Sequence, residues 1–382
     1  MAENDLATIY RQRVQSFKPL DNPTFRTSDV SIVLATVHPD VQFVRCLDGW
    51  LSNQPKEMII VTVPRDVPAI KSFVAKVDRD QDKIRILMVN EADHRAQQIC
   101  GIKAATGSVI VMVDDDTFVG PEVLRWRMAP LEDPSVAGVT GIHHPDIPPS
   151  RKSATGTNFW EAFSVRGLYN FNTTAMTRFG ADGAVWCLIG CSQVLRAQVV
   201  QDTKFLAAFA RQIWNGTTIK TGGDTWMTRL LMKKGHKLAF QSAPESIAYT
   251  TPKTDSGVIW QMARWLRSTH INASSALLDD PGIFELVCQY PYMARKMVER
   301  LFRPVIALAH FAAWAHAYQT SPLVWFIITL WYMHSYVRTY QEFSGRFPWL
   351  SRHVWALFLY DTVGWLPMEM YVWATMAEES WV

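Results

Sequence analysis

Four short runs of continuously apolar residues, repeating at roughly 25-residue spacing, restrict what this chain can fold into more than any other feature. They are Ser31-Ile32-Val33-Leu34-Ala35-Thr36-Val37, Met58-Ile59-Ile60-Val61-Thr62-Val63, Ile84-Arg85-Ile86-Leu87-Met88-Val89 and Val109-Ile110-Val111-Met112-Val113. A run without polar alternation suits a strand covered on both faces, as parallel strands are. Helical stretches lie between the runs, for example Ala96 to Thr106, ending at Gly107. The pattern predicts βαβ units in a doubly wound α/β sheet. Ligands of such sheets sit at the carboxyl ends of the strands, where Asp114-Asp115-Asp116 fall.

Bulk properties narrow the class of partner. The net charge of +3 over 382 residues fits neither a nucleic-acid binder nor a trap for acidic substrates. Five cysteines, an odd number without framework spacing, point to a reducing compartment. The start, Met1-Ala2-Glu3-Asn4-Asp5, is polar and shows no apolar core of a signal peptide. Residues 1–28 read as a polar leader or peripheral helix.

Residues 225–234 read as a helix with Trp226, Met227, Leu230 and Leu231 on one face and Gly235 just past its end. Residues 257–270 mix aromatics with arginines, which suits an amphipathic helix lying on a membrane surface. Beyond about residue 300 the chain turns apolar, in runs Val305 to Tyr318, Leu323 to Val337 and Val354 to Met376. Arg295, Lys296, Arg300 and Arg303 precede the first run, and Arg338, Arg346 and Arg352 follow the second. The turn between them, Gln319-Thr320-Ser321-Pro322, carries no charge. By the positive-inside rule the α/β region is cytosolic and this end of the chain is an integral membrane region. A buried helical hairpin is the alternative.

Three motifs carry chemistry. Asp114-Asp115-Asp116 ends a strand, and alternation along a strand would send Asp114 and Asp116 to one side. Such carboxylates suit Mg²⁺ or Mn²⁺, which take one or two of them together with phosphate oxygens. The other reading is a solvated turn before a helix near Pro121. Asp224 precedes its helix and can be an N-cap, a catalytic base or both. Gln261, Arg264 and Trp265 share a helical face, with Arg264 fit for a diphosphate and Trp265 for a sugar ring. Cys187-Leu188-Ile189-Gly190-Cys191 reads by itself as a packed core segment, and His143-His144 as a polar loop pair.

Together these residues resemble the inverting family-2 glycosyltransferases of the hyaluronan, chitin and cellulose synthase group, and most of all fungal hyaluronan-synthase-like polysaccharide synthases. Val113-Asp114-Asp115-Asp116-Thr117 matches D-x-D, Gly222-Gly223-Asp224 the G-D-D or T-E-D motif, and Gln261-Met262-Ala263-Arg264-Trp265 matches Q-x-x-R-W. Gly223 departs from the pattern, replacing its middle acidic residue. The resemblance implies a GT-A-type mixed sheet over residues 29–250, interfacial helices over 251–300 and a transmembrane region of about three helices over 301–382. It implies Asp114 and Asp116 at the metal and diphosphate, and Asp224 as base. Arg264 and Trp265 fall at the diphosphate and the acceptor mouth, with Gln261 beside them. Cys187, Gly190 and Cys191 resemble the C-x-x-G-C acceptor segment of chitin synthases. Arg95 stands where a basic residue meets phosphate, and Thr36 and Asp66 are candidates for the uridine pocket. The expected protein transfers sugar from a UDP-sugar to a growing polysaccharide at the plasma membrane, with membrane lipid as its surroundings and no nucleic acid. A single-transfer glycolipid synthase of the ceramide glucosyltransferase kind shares the motifs. A catalytically silent membrane scaffold or sugar-nucleotide sensor is the reading from another class, disfavoured by the intact acidic residues.

Overall fold

The computed structural model describes residues 3–279 and 281–378. The chain opens with α1 (Glu3–Arg13), β1 (Val30–Ala35), α2 (Phe43–Leu51), β2 (Glu57–Thr62), α3 (Val67–Val74), β3 (Ile84–Met88), α4 (His94–Ala104) and β4 (Val109–Val113). Next come β5 (Thr117–Val119), α5 (Val123–Met128), β6 (Val136–Gly141), β7 (His143–Pro145), α6 (Phe159–Asp182), β8 (Ser192–Arg196), α7 (Ala197–Val200) and α8 (Thr203–Ala210). The hairpin β9 (Ile213–Trp214) and β10 (Thr217–Thr218) leads to α9 (Gly223–Lys233), β11 (Lys237–Gln241) and β12 (Ala248–Thr250). The rest is helical: α10 (Gly257–Leu278), α11 (Ile283–Gln289), α12 (Pro291–Leu301), α13 (Arg303–Thr320), α14 (Pro322–Arg346), α15 (Val354–Leu359) and α16 (Trp365–Ala374). These elements form two compact units. An α/β unit holds Val14–Asp146 and Arg178–Thr251, and a helical unit holds α1, Ile147–Thr177 and Pro252–Met376.

The α/β unit is built on a seven-stranded sheet of order β11-β6-β8-β4-β1-β2-β3. The four apolar runs form β1 to β4, all parallel, with β1 paired to β2 on one side and β4 on the other. Strands β1, β2 and β4 are buried along their whole length. Strand β3 departs from the expected double cover: it lies at the sheet edge, and Met88 is exposed. The sheet is mixed because β8 enters antiparallel between β4 and β6. A small second sheet, β5-β12-β7, stands beside the turn after β4. His143 and His144 lie in β7 rather than in a polar loop. The His143 ring is fully buried with Nε2 2.6 Å from Ser192 Oγ, and burial, then the neighbouring Arg127, holds its pKa well below the usual histidine value.

Two contacts fix how the parallel half packs. Helix α4 lies so close on β1 that a Cβ at Gly101 would stand 2.3 Å from Val33 Cγ1, so only glycine fits there. At the opposite end of the strands Glu57 gathers four segments. Its carboxylate accepts from Ser31 Oγ at 2.7 Å, from Thr106 N and Oγ1 at 2.8 and 2.7 Å, and from Arg85 Nη1 at 2.7 Å. Burial works to raise the Glu57 pKa, but these donors outweigh it and hold the group at about 2, below the ordinary 4.5.

The helical unit has its own core, in which Phe163, Val258, Tyr340, Phe343 and Leu357 pack together. Within it, residues expected as a polar leader form α1, tied by Arg11 Nη2 to Glu342 Oε2 at 3.2 Å and by Asp5 to Arg338. The segment expected as amphipathic becomes α10, α11 and α12. The first two C-terminal apolar runs become α13 and α14, a helical hairpin joined by Trp314 Nε1 donating to Thr329 Oγ1 at 2.9 Å. Leu308, Phe311, Phe326, Ile327, Leu330 and Trp331 are exposed along it. The third run is broken into α15, a π-helical turn at Tyr360–Gly364 and α16. Among the described residues no helix is long and apolar enough to cross a membrane.

A carboxylate whose pKa is lowered on folding stabilises the fold above its unfolded pKa, and that contribution is lost as pH falls through the folded value. Glu57→Gln therefore lowers thermal stability at pH 7, and its deficit against the parent chain shrinks as pH falls from about 4.5 towards about 2. Thermal denaturation of both proteins across that window measures it.

Candidate functional site

The chain leaves β4 at Val113, so Asp114-Asp115-Asp116 form the turn into β5 and the expected strand alternation does not govern them. Thr36, just past β1, donates through Oγ1 to Asp115 Oδ2, which links the carboxyl ends of the two central strands. Asp116 is exposed, and the His94 ring at the start of α4 stands 4.0 Å from Asp114 Oδ1. Gln97, one turn further on α4, donates from Nε2 to Thr36 O at 3.0 Å and Val61 O at 2.8 Å. Asp66 follows β2 and is held by the backbone N–H of His38 at 3.1 Å and by Arg65 Nε at 3.7 Å.

Buried thiols surround this turn. Cys46 Sγ donates to the Asp114 carbonyl at 3.6 Å. Burial first, then the charges of Asp115, Asp116 and Asp114, pushes its pKa well up. Burial, then Asp114 and Asp116, does the same to Cys191. Both thiols therefore stay protonated, and what faces a cation here is carboxylate oxygen. Among the described residues no group of three or more His, Cys, Asp or Glu side chains forms a metal cage. That fits a hard cation arriving with phosphates, because Mg²⁺ needs only one or two protein carboxylates and completes its shell from substrate and water. The carboxylates of this turn, with Asp116 exposed, are of the kind that suits such an ion.

Helix α9 is capped by Gly222 at φ +65, a left-handed conformation that glycine adopts without strain, and not by Asp224. Asp224 is the second residue of that helix. Its Oδ1 accepts the Thr225 backbone N–H at 2.8 Å and its Oδ2 accepts the Cys187 thiol at 3.3 Å. Leu188 N–H donates to Thr228 Oγ1 at 2.8 Å, and that hydroxyl donates to Asp224 O at 2.7 Å. A Cβ at Gly190 would lie 3.9 Å from Asp224 Oδ2. The Cys187–Cys191 segment is thus packed core on one side and a wall beside Asp224 on the other.

Arg95, expected at phosphate, lies inside the fold. Its guanidinium is buried and donates to Phe209 O at 3.2 Å, Gln212 Oε1 at 2.8 Å and Thr221 O at 3.1 Å. Burial pulls its pKa down to about 10, which leaves it charged at neutral pH. His94 and Cys46, which the site brings to the acidic turn, carry no signal in the sequence, since nothing in their spacing marks them. Gln261, Arg264 and Trp265 belong to α10 in the helical unit, with Trp265 exposed and the other two half-buried.

Residues 28–268 match the family model described as "Glycosyltransferase like family 2". The chain belongs to glycosyltransferase family 2. It is 30% identical over 376 residues to the NDP-glycosyltransferase ltbB of Aspergillus luteorubrus, covering 96% of this chain and 92% of that protein. A type 2 glycosyltransferase of Zymoseptoria tritici is 28% identical over 257 residues, 66% of this chain but 53% of its own length. The chain thus spans about half the length of that relative. An N-acetylglucosaminyltransferase of Rhizobium meliloti is 24% identical over 85% of this chain and 76% of that protein. Among solved structures, the mannosyltransferase PcManGT of Pyrobaculum calidifontis, in complex with GDP-Man and Mn²⁺, superposes with a TM-score of 0.60 at 15% identity, over 100% of this chain and 96% of that one. That likeness is one of fold, and the mixed α/β sheet of this chain is GT-A-like.

The thiols differ in what a reagent can reach. Cys288 is exposed, whereas Cys187 is buried and its pKa is raised well above the usual range by burial and then by Asp224. Alkylation at mildly alkaline pH, followed by mass spectrometry, should label Cys288 first and Cys187 slowly. Asp224→Asn should speed labelling of Cys187 by removing the charge that opposes its thiolate.

Proposed function

We propose that this transferase is an inverting, UDP-sugar-dependent enzyme that extends a polysaccharide, with Asp224 as catalytic base. The observation that carries this reading is the placement of the Cys187–Gly190 segment against the Asp224 carboxylate. That segment resembles the acceptor wall of chitin synthases, and here it adjoins the residue suited to take a proton from an acceptor. In the reaction the acceptor hydroxyl oxygen bonds to the anomeric carbon of the donor sugar from the face opposite the diphosphate. The bond from that carbon to the diphosphate breaks, the hydroxyl proton passes to an oxygen of Asp224, and UDP leaves. Mg²⁺ or Mn²⁺ held by Asp114 and Asp116 would supply positive charge at the leaving diphosphate. In this reading Thr36 and Asp66 close the nucleotide side, and the family resemblance assigns Arg264, Gln261 and Trp265 to the diphosphate and the acceptor.

In the same reading the chain is membrane-bound through the α13–α14 hairpin. Its exposed aromatic and aliphatic side chains, uncharged tip and basic flanks support this. That exposed apolar surface also favours a second reading, in which the acceptor is a lipid and one sugar is transferred.

The test incubates membranes containing the protein with Mn²⁺ and a panel of radiolabelled UDP-sugars. Large, glycosidase-sensitive product is expected; label confined to solvent-extractable lipid selects the second reading, and no UDP release from any donor overturns both. Chelation should abolish turnover and added Mn²⁺ or Mg²⁺ restore it. Asp224→Asn should lose transfer by a factor of about 100 or more while still binding UDP; near-normal turnover would remove Asp224 as base.

A further inference from the structure

We infer that Arg95 is a positioning residue for Asp224, a buried strut that holds the segment Phe209–Gly223 at the end of the sheet, and not a ligand of the donor phosphates. The inference rests on the reading of Asp224 as base. Its ground is where the guanidinium spends its donors. Arg95 is 4% exposed, too enclosed to present itself to a diphosphate. It grips the segment at both ends, through the Phe209 carbonyl and through the Thr221 carbonyl one residue before Gly222, and in the middle through Gln212 Oε1. The guanidinium carbon also lies 5.3 Å from the centre of the Phe209 ring.

The segment needs such a tie. Strands β9 and β10 pair as a separate two-stranded sheet, so the ladder of the main sheet does not hold them. Helix α4, which carries Arg95, is by contrast seated on β1 by Gly101 and bonded to Thr36 and Val61 by Gln97. Arg95 therefore ties a segment outside the main sheet's ladder to a helix seated on that sheet, and Asp224 follows directly on that segment. The glycine that departs from the family pattern belongs to the same arrangement. A Cβ at Gly223 would meet Phe209 Cζ and Gln98 Oε1 at 3.4 Å, so position 223 faces the wall that Arg95 braces and not open solvent.

The test compares Arg95→Met, the milder Gln212→Leu, the double variant and Asp224→Asn in the full-length protein. Three readouts are taken: kcat and KM with an active UDP-sugar, binding of UDP with Mn²⁺, and hydrogen exchange over residues 209–223. Arg95→Met should lower kcat by about 100-fold through misplacement of the base, with KM and UDP affinity unchanged. Gln212→Leu should lower kcat less, since two of the three Arg95 bonds remain, and the double variant should lose less than the two single losses combined, because the Arg95–Gln212 bond is common to both. Exchange over 209–223 should rise in both Arg95→Met and Gln212→Leu but not in Asp224→Asn. Weakened UDP binding with kcat preserved would make Arg95 a phosphate ligand, and unchanged exchange would overturn the strut. Raised exchange with turnover retained in Asp224→Asn would instead sink the base reading and leave the strut standing.

Discussion

The seating of helix α4 on the sheet is the constraint on which the site depends. Gly101 removes the side chain that would collide with Val33, which lets the helix axis come close to β1. From that seat Gln97 bonds the ends of β1 and β2, His94 faces Asp114, and Arg95 reaches to the segment before Asp224. One helix thus relates the ends of β1 and β2, the acidic turn and the segment that leads to the candidate base. Moving it off the sheet would disturb all three together, because each is held by a side chain on the same rigid rod.

The second constraint is electrostatic. Three carboxylates at one strand end, with buried thiols beside them, create a field that opposes any further negative charge. Cys46 and Cys191 stay protonated through burial first and this field second, while Cys187, held protonated by burial and then by Asp224, donates a hydrogen bond to Asp224 Oδ2. A thiol is a weak donor, so it orients the carboxylate without strongly stabilising its charge. A cation carried by phosphates would relieve the same field from the solvent side, where Asp116 is exposed.

The helical unit solves a different problem. Burying Glu369 and His270 is costly unless they are paired, and their atoms approach to 2.6 Å with Arg300 beside the other carboxylate oxygen at 3.5 Å. Arg166 and the hydroxyl of Tyr340 close on Asp361 in the π-helical turn in the same way. These contacts join α10, α12 and α16 to one another and tie α6 and α14 to the π-helical turn, while the α13–α14 hairpin exposes apolar side chains.

What the sequence determined by itself was everything set by local pattern. The parallel strands β1 to β4 follow from uninterrupted apolar runs, and the helices at 223–233 and 257–278 follow from periodicity and end signals. The acidic turn follows because ligand-bearing residues of such sheets lie past the strand ends. Of the two roles open to Asp224, the cap went to Gly222, and β8, short and polar at both ends, left no trace. Only the tertiary structure decided which partners those residues meet. Cys187 and Asp224 are 37 residues apart, and Arg95 reaches acceptors 114 to 126 residues away. The same letter in the same helix could have faced solvent; its guanidinium is placed by burial and by three carbonyl-type oxygens brought in from far along the chain, which no pattern of neighbours records.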